Sequence, residues 1–237
     1  MSDYDRNVAA FPGTARTAAV DAGLRAHMLT VYNYMAGGVA LTGVVAYFTN
    51  QMFGQALAGS PVMYVLIFAP LALVFFLSWR IDSLSASTAR ALFFVYAALL
   101  GASLSMIFRV YTDASITRVF FISAAAFGGL SLWGYTTQRD LTGMGSFLMM
   151  GLIGIIIASL VNIFLRSSGL DWIISVIGVI VFAGLTAWDT QKIKEMYSPN
   201  DDGTVTGRKA VMGALSLYLD FINLFLMLLR LFGGRRR

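Results

Sequence analysis

The sequence predicts an all-α, polytopic membrane protein with seven transmembrane helices. Hydrophobic residues make up 58% of the 237-residue chain and charged residues only 12%, with a mean hydropathy of +0.74. In soluble domains about a quarter of the residues are charged. The apolar residues also fall into seven runs, each close to the roughly 20 residues that a helix needs to cross a bilayer.

The seven predicted spans are joined by short polar connections. They are residues 27–49, 62–79, 89–108, 119–136, 144–165, 171–189 and 211–229. We divide the chain into an N-terminal tail (1–26), a seven-helix transmembrane domain (27–230) and a basic C-terminal tail (231–237). The tail lacks the apolar stretch of a signal peptide, so we expect it to stay uncleaved in the cytoplasm. The protein would then be a multi-pass protein of the inner (cell) membrane.

Local signals support individual spans. The second ends at Trp79, with Arg80 directly after it, and the sixth begins at Asp171, a candidate N-cap. The third carries small residues at four-residue intervals that would let a neighbouring helix approach closely: Ala97, Gly101 and Ser105. All four tryptophans lie near span ends, which is typical of interfacial anchors: Trp79, Trp133, Trp172 and Trp188.

Basic residues leave the topology of the last span open. With a cytoplasmic N-terminus and seven full crossings, ten of the 17 Lys and Arg residues would lie inside and seven outside. That bias is weak. If the last span instead entered and returned, the C-terminal arginines would also lie inside.

Composition excludes several functions. The net charge of +5 lies in the connections between spans, so we expect no nucleic-acid partner. The chain has no cysteine for a disulfide or a thiolate site, and one histidine, His27, cannot form a histidine cluster. We interpret His27 as an interfacial residue, with a second pH sensor as the alternative. Without a zinc-ligand set or a histidine beside a nucleophile, we expect no enzymatic activity and no tightly bound cofactor.

Asp220 lies at the middle of the last apolar run. An ionised carboxylate there costs about 2.5–3.5 kcal/mol on insertion scales, so it is a functional candidate. Ser216 and Asn223 lie four and three positions away, on the same helix face, which must look into protein or water. The alternative is a buried acid that fixes helix packing through a hydrogen bond to Tyr or Ser.

Asp189 is the other acid carried by an apolar span. Helix geometry places it about 26 Å from Trp172, near the cytoplasmic boundary, whereas Asp220 would lie about 15 Å deep. The two meet only if the sixth span tilts or a vestibule dips inward. If they meet, they share a proton and titrate as a pair. Otherwise Asp189 pairs with Lys192 on its own helix face.

The run Ala-Leu-Ser-Leu-Tyr-Leu-Asp-Phe-Ile-Asn-Leu-Phe at 214–225, with Leu-Leu-Arg shortly after it, resembles the signature of the Bax inhibitor-1 family. Weaker similarity covers Phe-Val-Tyr at 94–96 and Trp-Asp-Thr-Gln-Lys-Ile at 188–193. The spacing of spans agrees over nearly the whole chain after residue 26. The resemblance implies six helices around a seventh that act together as a pH-sensitive calcium leak.

The resemblance also implies roles for individual residues. The family's pH sensor is an aspartate near the end of the sixth helix and one in the seventh, which match Asp189 and Asp220. Arg80 is the best match to an arginine proposed to latch onto the first aspartate. Some members carry a glutamate in the second helix, whereas residues 62–79 contain no acid, a departure that concerns cation handling.

Calcium would be the permeating ion, and the lipid bilayer and calcium ions the partners. Calcium prefers six to eight oxygen ligands, so Asp189, Asp220, Ser216, Asn223 and water would form a weak site, as conduction requires. Two alternatives remain. One is a non-conducting regulator that binds a membrane protease or another membrane partner, which a disordered N-terminal tail would favour. The other is a proton-coupled carrier that uses the same acids.

Overall fold

The computed structural model describes residues 12–236, which form seven long helices labelled here α1–α7. They are α1 (Pro12–Leu57), α2 (Pro61–Arg80), α3 (Ala86–Leu104), α4 (Asp113–Thr136), α5 (Thr142–Leu165), α6 (Ser168–Glu195) and α7 (Gly203–Phe232). A 3₁₀ turn, Ile81–Ser83, and a short helix, Ile107–Val110, lie in two of the connections. All seven long helices have the length and apolar composition of a membrane span, which confirms the predicted fold class.

The helices alternate in direction and give the bundle two ends. The near end holds the start of α1 and the connections 81–85, 137–141 and 196–202, and the far end holds the connections 58–60, 105–112 and 166–167. The near end is the one that we predict to be cytoplasmic.

The last helix, α7, is the central one. In its membrane-length segment 72% of the residues are buried, compared with 11% in α2 and in α5. It packs mainly on α6, α1, α4 and α3, while α2 packs on α3 and α5 packs on α6. On the polar face of α7, Asp220 is buried, whereas Ser216 and Asn223 are half-buried.

Small residues bring α1 and α3 together, as predicted. A Cβ added at Gly101 would lie 2.6 Å from the carbonyl oxygen of Thr42. Thr42 Oγ1 donates to the carbonyls of Gly38 and Ala97, each at 2.9 Å, and lies 2.6 Å from the hydroxyl of Tyr218. Because a hydroxyl has one proton, which Thr42 gives to the carbonyls, Tyr218 is the donor to Thr42. This cluster joins α1, α3 and α7.

Both predicted tails contain residues that the structure describes. Residues 12–26, assigned to the tail, form the start of α1, and residues 1–11 lie outside the described part of the chain. At the other terminus, α7 ends at Phe232 and the chain pairs with the 105–112 connection. Gly234 O accepts from Thr112 N and Arg236 N donates to Val110 O, each at 2.9 Å. The last helix therefore crosses the bundle fully and its C-terminal segment lies at the far end.

The start of α6 also differs from its predicted cap. Ser167 is the N-cap, and its hydroxyl accepts from Leu170 N at 3.3 Å. Asp171 lies in the first turn instead, where its carboxylate is 3.5 Å from Arg230 Nη1 at the end of α7. This ion pair fixes the far ends of α6 and α7 next to each other.

Candidate functional site

The contact between α6 and α7 sets the depth of both predicted sensor residues. A Cβ added at Gly213 would lie 3.1 Å from the side chain of Ile193, so the two helices are closely packed there. At about 1.5 Å per residue, Asp189 lies about 6 Å and Asp220 about 10 Å further into the bundle than this contact. Because α6 continues to Glu195, past its predicted end, the two acids lie at similar depths.

Asp189 and Asp220 line the same cavity, and their carboxyl groups are close enough to interact electrostatically. Asp220 is 5% exposed, and its Oδ2 has no hydrogen-bond partner within the described residues. Asp189 is half-buried. A hydrogen bond between two carboxyl groups requires a proton on one of them. The arrangement therefore suits a pair that shares one proton.

A cavity of about 600 Å³ between α5, α6 and α7 contains this pair. Its polar lining includes Ser216 and Asn223, so the structure brings together four of the five predicted site residues. Asn223 Nδ2 donates to Leu219 O at 2.8 Å, which leaves the amide oxygen as its acceptor. The cavity thus combines two carboxylates with neutral oxygen groups, which are the ligand types that calcium prefers.

Arg80 is the predicted site residue that the structure does not bring to the pair. It is exposed at the end of α2, which packs on α3 rather than on α6. Its carbonyl accepts from Ser83 Oγ at 2.8 Å, and its guanidinium forms no ion pair with Asp189. The latch stays a prediction.

Lys192 is the cation whose charge acts on Asp189. Its Nζ lies 5.0 Å from the ring centroid of Trp188, and both residues line the cavity. The side chains of Asp189 and Lys192 form no ion pair within 4.0 Å. Lys192 is therefore a nearby charge for Asp189 and not the direct partner that their spacing predicted.

Trp188 differs from the other tryptophans. Trp79 is 83% exposed, as an interface anchor should be, but the ring of Trp188 lies against Gly145 on α5. Trp188 therefore belongs to the wall of the cavity. The anchor interpretation stays a prediction for this residue.

A chain of hydroxyl groups holds α6 beside α4 and α1. Thr190 Oγ1 donates to Thr186 O at 2.7 Å and accepts from Ser131 Oγ at 2.9 Å, and Ser131 in turn lies 2.6 Å from the hydroxyl of Tyr32. These residues were not predicted as part of the site. Their signal was two threonines four residues apart inside an apolar span, next to Asp189 in sequence.

The 137–141 connection is tied to α6 by Gln191. Its Oε1 accepts from Leu141 N and its Nε2 donates to Arg139 O, each at 2.8 Å. Next to this contact, hydrogen bonds from the side chain and the backbone N–H of Thr142 hold the pKa of Asp140 below its ordinary value. Together these bonds fix the start of α5 against the near end of α6.

His27 is buried beside the connection between α6 and α7. It is 4% exposed, and its ring lies 5.8 Å from that of Tyr197 in the connection between α6 and α7. Neither ring nitrogen has a hydrogen-bond partner within the described residues. Burial does not decide between the interfacial interpretation and the pH-sensor alternative, so both stay predictions.

Comparisons with known proteins agree with this architecture. Residues 24–237 match the family described as inhibitor of apoptosis-promoting Bax1. The inner membrane protein YbhL of Escherichia coli K12 is 49% identical over 240 residues, which cover 95% of this chain and 99% of YbhL. An uncharacterized protein of Rickettsia prowazekii is 48% identical over 238 residues, and one of Caulobacter vibrioides is 45% identical over 249 residues, each covering 100% of both chains. The chain therefore belongs to the Bax inhibitor family of membrane proteins.

Proposed function

We propose that this protein is a pH-sensitive calcium leak channel of the inner membrane, gated by the proton that Asp189 and Asp220 share. The observation that carries the proposal is that these two carboxylates line one cavity inside an apolar bundle. When both are ionised, their repulsion scales inversely with the local dielectric constant, so loss of the proton drives them apart. Their protonation state then decides how closely α6 packs on α7.

The lining of the cavity supports weak binding of a permeating cation. Two carboxylates with Ser216 and Asn223 supply at most six oxygen atoms, the lower limit of the six to eight that calcium takes, and Lys192 adds an opposing positive charge. An ion that binds weakly can also leave, as conduction requires. The description of YbhL as an inner membrane protein supports the proposed location.

The direction of gating follows from the same pair. The protonated pair is hydrogen-bonded and holds the near end of α6 on α7, with Trp188 against the mouth of the cavity. The deprotonated pair separates, and the path opens. We therefore expect a channel that is closed at acid pH and open at neutral pH.

The test is calcium flux into liposomes that contain only this purified protein, measured between about pH 5 and pH 8, where buried carboxyl pairs can titrate. Wild-type flux should rise steeply with pH, and Asp220→Asn should remove most of that dependence. Asp82→Asn is the matched control, because Asp82 is exposed in a near-end connection. An unchanged pH profile in Asp220→Asn would refute the sensor assignment.

The same assay separates the alternatives. Absence of flux at every pH, from correctly folded protein, would favour a non-conducting regulator that acts through a membrane protease or another partner. Flux that requires a proton gradient, and moves protons in proportion, would favour a proton-coupled carrier. A leak requires neither a partner nor a proton gradient.

A further inference from the structure

A groove separates α1 from α4 on the outside of the bundle. Two cavities, of about 470 and about 210 Å³, are both lined by these two helices. The near cavity is lined by residues 25–32 of α1 and 127–135 of α4. The far cavity is lined by residues 39–46 of α1 and 116–120 of α4. The two cavities lie along the same seam and together extend over about 30 Å of it at 1.5 Å per residue, with residues 33–38 and 121–126 between them lining neither cavity. This length matches the hydrocarbon core of a bilayer.

The groove is apolar and reaches the central helix. Met28 and Phe127 form a buried floor in the near cavity, and Leu29 and Leu132 are its exposed rims. In the far cavity the floor includes Phe221, Ile222 and Phe225 of α7. An occupant would therefore touch α7 itself, unlike a lipid on the outer faces of α2 and α5.

Two glycines widen the groove. Gly43 and Gly128 line the far and near cavities, and a Cβ added at either would meet nothing within 4 Å. At Gly101, by contrast, glycine allows a close helix contact. Glycine in a helix interior is unfavourable relative to alanine. At Gly43 and Gly128 the missing side chain leaves space for a ligand, not for a neighbouring helix.

Positive charge lies at the near mouth of the groove. Arg25 lines the near cavity, and Lys194 Nζ lies 5.4 Å from the ring centroid of Tyr135, another lining residue. Neither cavity has an Asp or Glu among its lining residues. Basic residues at this level of a membrane protein attract the phosphate groups of anionic lipids.

We propose that the groove between α1 and α4 binds an anionic phospholipid of the near-end leaflet, with its phosphate beside Arg25 and an acyl chain along the seam. The apolar walls accept the chain, and the basic mouth selects the headgroup. The hydrogen bond between Tyr32 and Ser131 crosses the floor of the near cavity, so the bound chain lies beside the hydroxyl chain that reaches Thr190.

The test uses the full chain in vesicles of phosphatidylglycerol and phosphatidylcholine, with a trace of phosphatidylglycerol that carries a photoactivatable group on its acyl chain. Labelled residues are mapped by mass spectrometry. We expect labels concentrated at Met28, Leu29 and Leu132, and competition by unlabelled phosphatidylglycerol but not by phosphatidylcholine. Labels spread evenly over the exposed faces of α2 and α5, or equal competition by both lipids, would overturn the proposal.

Variants of the cavity wall and of its basic mouth test the proposal separately. Gly128→Leu fills the near cavity and should reduce labelling of the groove about tenfold, while Gly154→Leu should leave it unchanged. Gly154 is the matched control, because it lies in an exposed helix with nothing within 4 Å and lines neither cavity. Arg25→Gln should lower the preference for phosphatidylglycerol about fivefold. Wild-type labelling in Gly128→Leu would contradict the proposal, and if that variant does not fold, the lipid competition on the wild-type protein decides.

Discussion

The indole ring of Trp188 lies so close to Gly145 that a Cβ added there would be 2.2 Å from ring atom Cε2. A side chain at residue 145 is therefore incompatible with the present position of the ring. Because Trp188 directly precedes Asp189, this contact links α5 to the carboxylate pair. It also explains why Trp188 is less exposed than Trp79.

Gly145→Ala should displace Trp188 and, with it, Asp189. We expect a higher calcium leak at acid pH, since the protonated pair would lose part of its packing, together with a change in tryptophan fluorescence. Gly143→Ala is the control, because a Cβ there meets nothing within 4 Å. If Gly145→Ala changes the fluorescence but leaves the acid leak at the wild-type level, Trp188 does not seal the cavity.

Tyr218→Phe should weaken the bundle without altering its pH response. The variant removes the 2.6 Å hydrogen bond to Thr42, but Thr42 still donates to backbone carbonyls, so no buried group loses its only partner. The expected cost in the free energy of unfolding is about 0.5–1.5 kcal/mol. Equilibrium unfolding in detergent measures it, with the exposed Tyr47→Phe as control. A loss of pH dependence in Tyr218→Phe would mean that Tyr218 takes part in the sensor.

The face of α7 that carries the site could be predicted from the sequence, because Ser216, Asp220 and Asn223 recur at helical spacing. That Asp220 meets Asp189 could not, because it depends on the register between two helices. This register is fixed by the contact of Gly213 with Ile193, which local periodicity does not reveal. The depth calculation failed for a related reason, since α6 continues beyond its apolar run.

Trp188 and His27 show a second limit of sequence reasoning. Both lie at span ends, where interfacial residues are common, and their positions alone give the same prediction as for Trp79. Burial of each is decided by a partner distant in sequence, Gly145 for Trp188 and Tyr197 for His27. The predicted first span begins at residue 27 because residues 12–26 are too polar for a membrane span. In the structure these residues are nevertheless helical.

Arg80→Gln should increase the leak at neutral pH if Arg80 acts as the latch that the family resemblance implies. Without the guanidinium, the latch that holds Asp189, and with it α6, in the closed position would be lost. Calcium flux at neutral pH measures the effect, and Arg90→Gln, at another near-end position, is the control. A leak in Arg80→Gln no greater than in wild type would indicate that Arg80 anchors α2 at the interface.

Lys192→Gln provides the complementary comparison. The charge of Lys192 acts on Asp189 in this structure. Removing that charge should favour the protonated pair and shift the rise of flux to higher pH. If only Lys192→Gln shifts the profile, Lys192 rather than Arg80 supplies the counter-charge.

The pairing of the two aspartates makes the most specific prediction. If Asp189 and Asp220 share one proton, either single change to Asn removes the same titration, because the remaining carboxyl has no partner with which to share it. The double variant Asp189→Asn, Asp220→Asn should then show no more loss of pH response than either single variant. Residues that act as one unit give this non-additive result, whereas independent sites give additive effects. In wild type, flux should change over about one to two pH units, and in all three variants it should be nearly flat. Two single variants that each remove part of the response, with a double variant that removes the sum, would show that the residues titrate separately. The paired-sensor mechanism would then be wrong, even for a protein that conducts calcium.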